Sequence, residues 1–227
     1  MWVHLASAAC LLCVRLASRR LVRPQRSHEQ TFWFAEHAAV NFLLCGLCLP
    51  SLLAAMRDPA HSLDVASHPP DTWEGSCLPL TLTVWLHAYH TACYQMSAQD
   101  AFHHVLFVSL LALPGMTFEW GALGNAQVFW ICGLPGGVTY ALLAAQRCGH
   151  LLRVREKTVT AVVNVGLRAP GILLCTLCFA YVFLWGGGPA PDAPAWACVM
   201  QMSLAPFNAI HYARQSVQRA RRTRPCA

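Results

Sequence analysis

Apolar residues run through this chain in long blocks, separated by short clusters rich in charged, Ser, Pro and Gly residues. Seven blocks stand out, at residues 2–16, 32–56, 77–96, 102–118, 126–145, 159–185 and 194–210. A helix needs about 20 apolar residues to cross a hydrocarbon core, and several of the blocks reach that length. The first is short, and the fourth is interrupted by Pro114-Gly115. The pattern predicts an all-α, polytopic transmembrane helical bundle of about seven spans, with no internal repeat and no second folded domain.

Composition agrees with that class. Of 227 residues, 56% are hydrophobic and 11% are charged, and the charged share is less than half of the ~25% usual in soluble domains. Residues 1–26 read as a signal-anchor span with a basic loop, 27–213 as the transmembrane helical domain, and 214–227 as a basic tail. A cleaved signal peptide fits the start poorly, because Arg15, Arg19, Arg20, Arg23 and Arg26 follow the apolar run instead of preceding it.

Loop charges set the orientation. Basic residues follow the first block, recur as Arg147, Arg153, Arg155 and Lys157 after the fifth, and return as Arg214, Arg219, Arg221, Arg222 and Arg224 after the seventh. The loop after the second block carries Asp58, Asp64, Asp71 and Glu74 against Arg57 alone. Lys and Arg favour the cytoplasmic side, so seven spans place every basic segment inside and the amino terminus outside. The net charge of +6 then reflects topology, and a nucleic-acid partner is not expected without a basic soluble domain.

Two Ser-x-x-acid/amide runs, Ser27-His-Glu-Gln30 and Ser97-Ala-Gln-Asp100, match helix-start capping boxes. Gly186-Gly-Gly-Pro-Ala-Pro-Asp-Ala-Pro194 reads as a turn ending the sixth block. The C-x-x-C pairs Cys10/Cys13, Cys45/Cys48 and Cys175/Cys178 lie inside apolar blocks, where Cys packs as a small hydrophobe and not as a zinc ribbon on a turn. Cys148 and Cys226, near the cytoplasmic face, are candidates for palmitoylation.

The chemistry gathers in a few places. Trp85-Leu-His-Ala-Tyr-His90 followed by Asp100-Ala-Phe-His-His104 places His87, His90, His103, His104 and a carboxylate where two apolar blocks meet. A charged group at the centre of a membrane helix costs roughly 2.5–3.5 kcal/mol on insertion scales, so such a cluster points to chemistry or to a polar head group. On the predicted topology Glu36, His37, Asn164, Arg168, Asn208 and His211 fall on the same side. Arg168 lies about ten residues, or ~15 Å, into its span and should face protein or water. One cytoplasm-facing pocket lined by His90, Asp100, His103 and His104, with Arg168 on its far wall, is expected. Asp100 is i−3 from His103 and i−4 from His104 and can pair with either. Blander roles stand beside these: Asp100 as a helix cap, His90, His103 and His104 in the head-group layer, and Glu36-His37 as an interfacial pair.

Asp100-x-x-His103-His104 at a span start resembles the D-x-x-H-H of the TLC domain, found in ceramide synthases and translocating-chain-associating proteins. Asn164-Val-Gly-Leu-Arg168-Ala-Pro170 is similar to that domain's later helix with an embedded Arg before Pro. Leu204-Ala-Pro-Phe-Asn208, with Tyr212 and a basic tail, is similar to its last helix. The resemblance covers residues 30–220 or so and implies an endoplasmic-reticulum membrane protein of lipid metabolism. It implies membrane lipids or an acyl-CoA-like molecule as ligand, with no cofactor and no metal. In an acyl-transfer enzyme of this kind His103 and His104 would act as base or nucleophile, Asp100 would orient one of them, and His87, His90, Arg168, Glu36, His37, Asn164 and Asn208 would contact the ligand. The family's Glu-Ser/Thr-x-Pro stretch has no counterpart in Gly133-Leu-Pro-Gly-Gly-Val-Thr-Tyr140, which favours lipid binding or sensing over acyl transfer. A di-iron hydroxylase or desaturase would need an H-x-x-H-H box, which is absent.

Overall fold

The computed structural model describes residues 2–22, 29–188 and 192–223. Among these residues all regular structure is helical, and seven helices follow one another: α1 (Trp2–Leu21), α2 (Glu29–Arg57), α3 (Leu78–Cys93), α4 (98–117), α5 (Gly121–Arg147), α6 (Arg153–Trp185) and α7 (Ala195–Thr223). Three of them, α2, α5 and α6, are long and apolar enough to cross a membrane. The helix α3 has 16 residues, and α1 and α7 carry Arg clusters near their carboxyl ends.

Helices overrun the apolar blocks at several ends. α6 starts at Arg153 instead of 159, and α7 continues to Thr223, so the basic segment expected as a separate tail is helical through that residue. Arg, Gln and Ala are strong helix formers, and cations at a helix's carboxyl end oppose its dipole favourably; hydropathy alone does not register either effect. Ser27, Arg23, Arg26, Arg224 and Cys226 lie outside the described residues, which leaves the first capping box and one palmitoylation candidate there.

Three Pro-Gly pairs shape the interior. Pro114, Pro135 and Pro170 each lie two residues beyond a stretch of wide, i→i+5 helix, at His104–Ala112, Phe129–Gly133 and Asn164–Arg168. Proline has no N–H for the i−4 carbonyl and its ring crowds that position, so the ladder upstream widens into the π form. The glycine that follows lets helices close. A Cβ at Gly136 or Gly137 would collide with Asn41 or Phe42 of α2, and one at Gly171 with the Trp130 indole. α2 and α5 therefore form the closest helix pair, with α3 beside α2 and α6 against α5. Leu44, Leu82, Leu86, Trp120, Leu123, Ile172 and Phe179 fill the interior with almost no exposed surface.

Successive helices run in alternating directions, as their end contacts show. At one end Arg19 pairs with Glu29, Arg147 reaches Gln30, and Gln99 bonds Gln215. At the other, Asn125 of α5 donates to Ser51 Oγ of α2 at 3.2 Å and to the Ser76 carbonyl at 2.8 Å, tying down the 58–77 loop. Within that loop the Ser67 hydroxyl bonded to Asp64 holds its carboxyl below the usual carboxylate range. The basic residues of α1, α5, α6 and α7 share the first end; Asp58, Asp64, Asp71 and Glu74 share the second. Every described cysteine is a free thiol, with Cys48, Cys175 and Cys178 in the core.

Candidate functional site

Six helices meet around a cavity of about 290 Å³ at the basic end of the bundle. Its wall takes in His37 of α2, His87 and His90 of α3, Asp100, His103 and His104 of α4, Tyr140 of α5, Asn164 and Arg168 of α6, and Tyr212 and Arg219 of α7. His87 and His90 are one helical turn apart and so share a face; the capped start of α4 brings His103 and His104 opposite them.

The hydrogen bonds around these rings assign their protons. His87 Nδ1 lies 2.7 Å from the Thr83 carbonyl, which only accepts, so this nitrogen carries the hydrogen and Nε2 is the acceptor. His103 Nε2, 3.2 Å away, then donates to it, which makes His103 Nδ1 an acceptor. The Tyr212 hydroxyl, 3.1 Å from that Nδ1, supplies the donor. The chain Tyr212→His103→His87→Thr83 thus runs in one direction and uses the tyrosine proton. On the other side Thr91 donates to the His87 carbonyl, so His104 Nδ1, 2.9 Å from Thr91 Oγ1, donates to it. His104 Nε2 keeps a free lone pair. His90 stacks on Trp33 with centroids 3.6 Å apart, and the buried His37 has no hydrogen-bond partner at Nδ1 among the described residues.

Arg168 is held by backbone. The Ile131 carbonyl accepts from its Nε at 3.0 Å and also from Nη2, while Nη1 donates to Asn164 Oδ1 at 3.1 Å. That carbonyl is available because Pro135, four residues on, has no N–H to offer it. The guanidinium also lies 5.4 Å from the centre of the Tyr212 ring, a cation–π contact.

Three of the sequence expectations need correction. Asp100 pairs with neither His103 nor His104: its Oδ2 accepts from the Ser97 amide at 2.9 Å and the Ser97 hydroxyl at 2.7 Å, closing the capping box. Local groups three residues away reach the carboxylate without bending α4, and they win. Glu36 is off the cavity, facing α1 and α3, where Ser18, Tyr89 and Tyr94 donate to it at 2.8, 2.9 and 2.7 Å. Asn208 is buried on α7 away from the cavity wall.

Trp33, Tyr140, Glu156 and Lys157 were not singled out by the sequence, and Tyr212 entered only through a resemblance. Two helical faces carry the missing signal: 156, 160, 164 and 168 on α6, and 212, 216 and 219 on α7, each at the three- or four-residue spacing of one stripe.

Charge in the cavity is unbalanced. Lys157 sits 2.9 Å from Glu156 and Asp100 is engaged at its cap, whereas neither Arg168 nor Arg219 has a carboxylate partner among the described residues. Behind His87 and His103 lies a narrow apolar pocket of about 40 Å³, lined by Leu80, Phe107, Leu111, Val128 and Ile131, for which the two imidazoles form a shared wall. Among the described residues no group of three His, Cys, Asp or Glu side chains is arranged to hold a metal ion. Comparisons with protein-family models, curated proteins and solved structures find no match to this chain.

Proposed function

We propose that this chain is a seven-span membrane protein that binds a lipid or acyl ligand in a cavity facing the cytoplasm. The observation that carries the reading is a polar, histidine-lined cavity at helix depth that backs directly onto an apolar pocket. A ligand with a polar head and an apolar part matches the chemistry of both halves, and the polar cavity, at about 290 Å³, sits at the lower edge of the ~300–1,000 Å³ usual for small-molecule pockets. The collection of Arg and Lys at the cavity end supports a cytoplasmic orientation. Glycosylation-acceptor tags in the 58–77 loop and the 148–152 turn should report opposite sides of the membrane. The D-x-x-H-H, Arg-Ala-Pro and Asn-to-Tyr212 motifs support a TLC-like protein of the endoplasmic-reticulum membrane, acting in lipid homeostasis.

The direct test is the set of lipids that co-purifies with the protein. A His103→Ala/His104→Ala variant that folds normally should lose the lipid enriched on the wild type; identical lipid sets from the two proteins would remove the reading.

A second reading, lipid acyl transfer, is favoured by one feature. His104 Nε2 keeps its lone pair while Nδ1 is anchored on Thr91, the arrangement of a general base. Turnover of an acyl-CoA by purified protein, lost in His104→Ala, decides between the two.

A further inference from the structure

Resting on the lipid-cavity reading, we infer that Arg168 receives a carboxylate, so the ligand is a fatty-acid-like monoanion and not a neutral lipid or a phosphate. Arg168 is a cation inside the bundle with no carboxylate partner among the described residues. A guanidinium has five N–H bonds. Nε and one N–H of Nη2 go to the Ile131 carbonyl, and one N–H of Nη1 goes to Asn164. One N–H remains on each terminal nitrogen. Two donors held in one plane match the two oxygens of a carboxylate, and the group's position is already fixed by Ile131, Asn164 and the Tyr212 ring.

Phosphate is the poorer match to the guanidinium itself, because two N–H donors satisfy both oxygens of a carboxylate but only part of a phosphate group. The apolar half of the ligand follows from the same residue that anchors the Arg: Ile131 also lines the apolar pocket behind His87 and His103. A head group on Arg168 therefore lies beside an apolar pocket on the side away from the basic end.

The test uses the detergent-purified full chain with three probes of equal chain length: hexadecanoate, its methyl ester and hexadecyl phosphate. Wild type should bind the acid at least about tenfold more tightly than the ester, since only the acid offers the guanidinium charge-assisted hydrogen bonds. Arg168→Lys keeps the charge and loses the planar fork; it should weaken acid binding and shrink the acid-over-ester ratio to a few-fold. The wild-type comparison stands even if the variant misfolds. Equal binding of acid and ester, or preference for the phosphate, overturns the carboxylate assignment and leaves the lipid cavity standing. Binding of none of the three overturns both.

Discussion

Glu36 and His37 are neighbours on α2, both almost fully buried, yet they belong to two regions built on opposite principles. Around Glu36, three hydroxyl groups from α1, α3 and the residue after α3 converge on one carboxyl, with Arg15 behind them on the Tyr89 oxygen at 3.1 Å. Both oxygens are used. Around His37 the polar groups open onto a cavity: among the described residues its own Nδ1 has no partner, His104 Nε2 has none, and two Arg168 donors are unused. Buried polar groups are normally hydrogen-bonded, so the first region reads as a clamp that fixes three helices. The second reads as a surface held ready for something else. Adjacent positions on a helix point ~100° apart, which is enough to put one residue in each.

The largest effect should come from the clamp. Glu36→Ala leaves three inward hydroxyls without an acceptor, and each such loss costs about 1–3 kcal/mol; the total should be on the order of 3–5 kcal/mol, read as a large fall in melting temperature in detergent. The protein that remains folded should carry the same lipids as wild type. A selective change in bound lipid with little loss of stability would instead place Glu36 in the ligand site.

Next in size is the helix packing behind the cavity. Gly171→Ala drives a methyl group into the Trp130 indole, and overpacking of this kind costs about 1–3 kcal/mol. Because Trp130 and Ile131 are neighbours on α5, the same change should disturb the Arg168 anchor and weaken ligand binding as well. Gly166→Ala, with no neighbouring atom near its Cβ direction, is the matched control and should be close to neutral in both measurements.

These two regions were unequally visible in the sequence. The helices announced themselves as apolar blocks, although α6 and α7 run on into charged residues whose helix propensity a hydropathy pattern does not see. Imidazoles and an Arg inside apolar blocks marked the cavity residues as unusual. What the sequence did not carry was which partner each would take. Asp100 suited a cap and an imidazole equally well by spacing, and only the placement of Ser97 resolved the choice. Tyr212 and Glu156 lie on the same helical stripes as the cavity residues of α6 and α7, but that those two stripes face one cavity is a fact of long-range packing. Pro114-Gly115 was legible as an interruption; that Pro135 frees the Ile131 carbonyl for an Arg 37 residues later was not.

Within the cavity, Tyr212→Phe tests the directed chain. It removes the donor to His103 Nδ1 and keeps the ring under Arg168, so stability should fall by only about 0.5–1.5 kcal/mol, the net worth of one hydrogen bond. The His103 ring, no longer held from that side, is free to exchange tautomer or turn. Nitrogen NMR of labelled histidine should show the His103 pattern change in Tyr212→Phe while His104, anchored on Thr91, keeps its own. Unchanged His103 signals would mean that the His87 contact alone sets its tautomer.

The smallest effect belongs to Asp100, and it separates the two principles within one residue. Asp100 borders the cavity, so position alone would assign it to the site's chemistry, where the sequence had it orient one of the imidazoles. Its hydrogen bonds assign it to the fold: the Ser97 amide and hydroxyl both donate to Oδ2, and Ser97 Oγ in return accepts from the Asp100 amide at 3.2 Å. If the cap is its whole role, Asp100→Ala should cost what a lost cap costs, about 0.5–2 kcal/mol, through fraying of the first turn of α4. Ligand affinity should then fall only as far as His103 and His104, three and four residues on, lose their alignment. Asp100→Asn keeps an acceptor oxygen for the cap and removes the charge, so it should recover most of both losses. An Asn variant that is stable but cannot bind ligand would show that the negative charge itself serves the cavity, and would move Asp100 from the clamp's side of the comparison to the other.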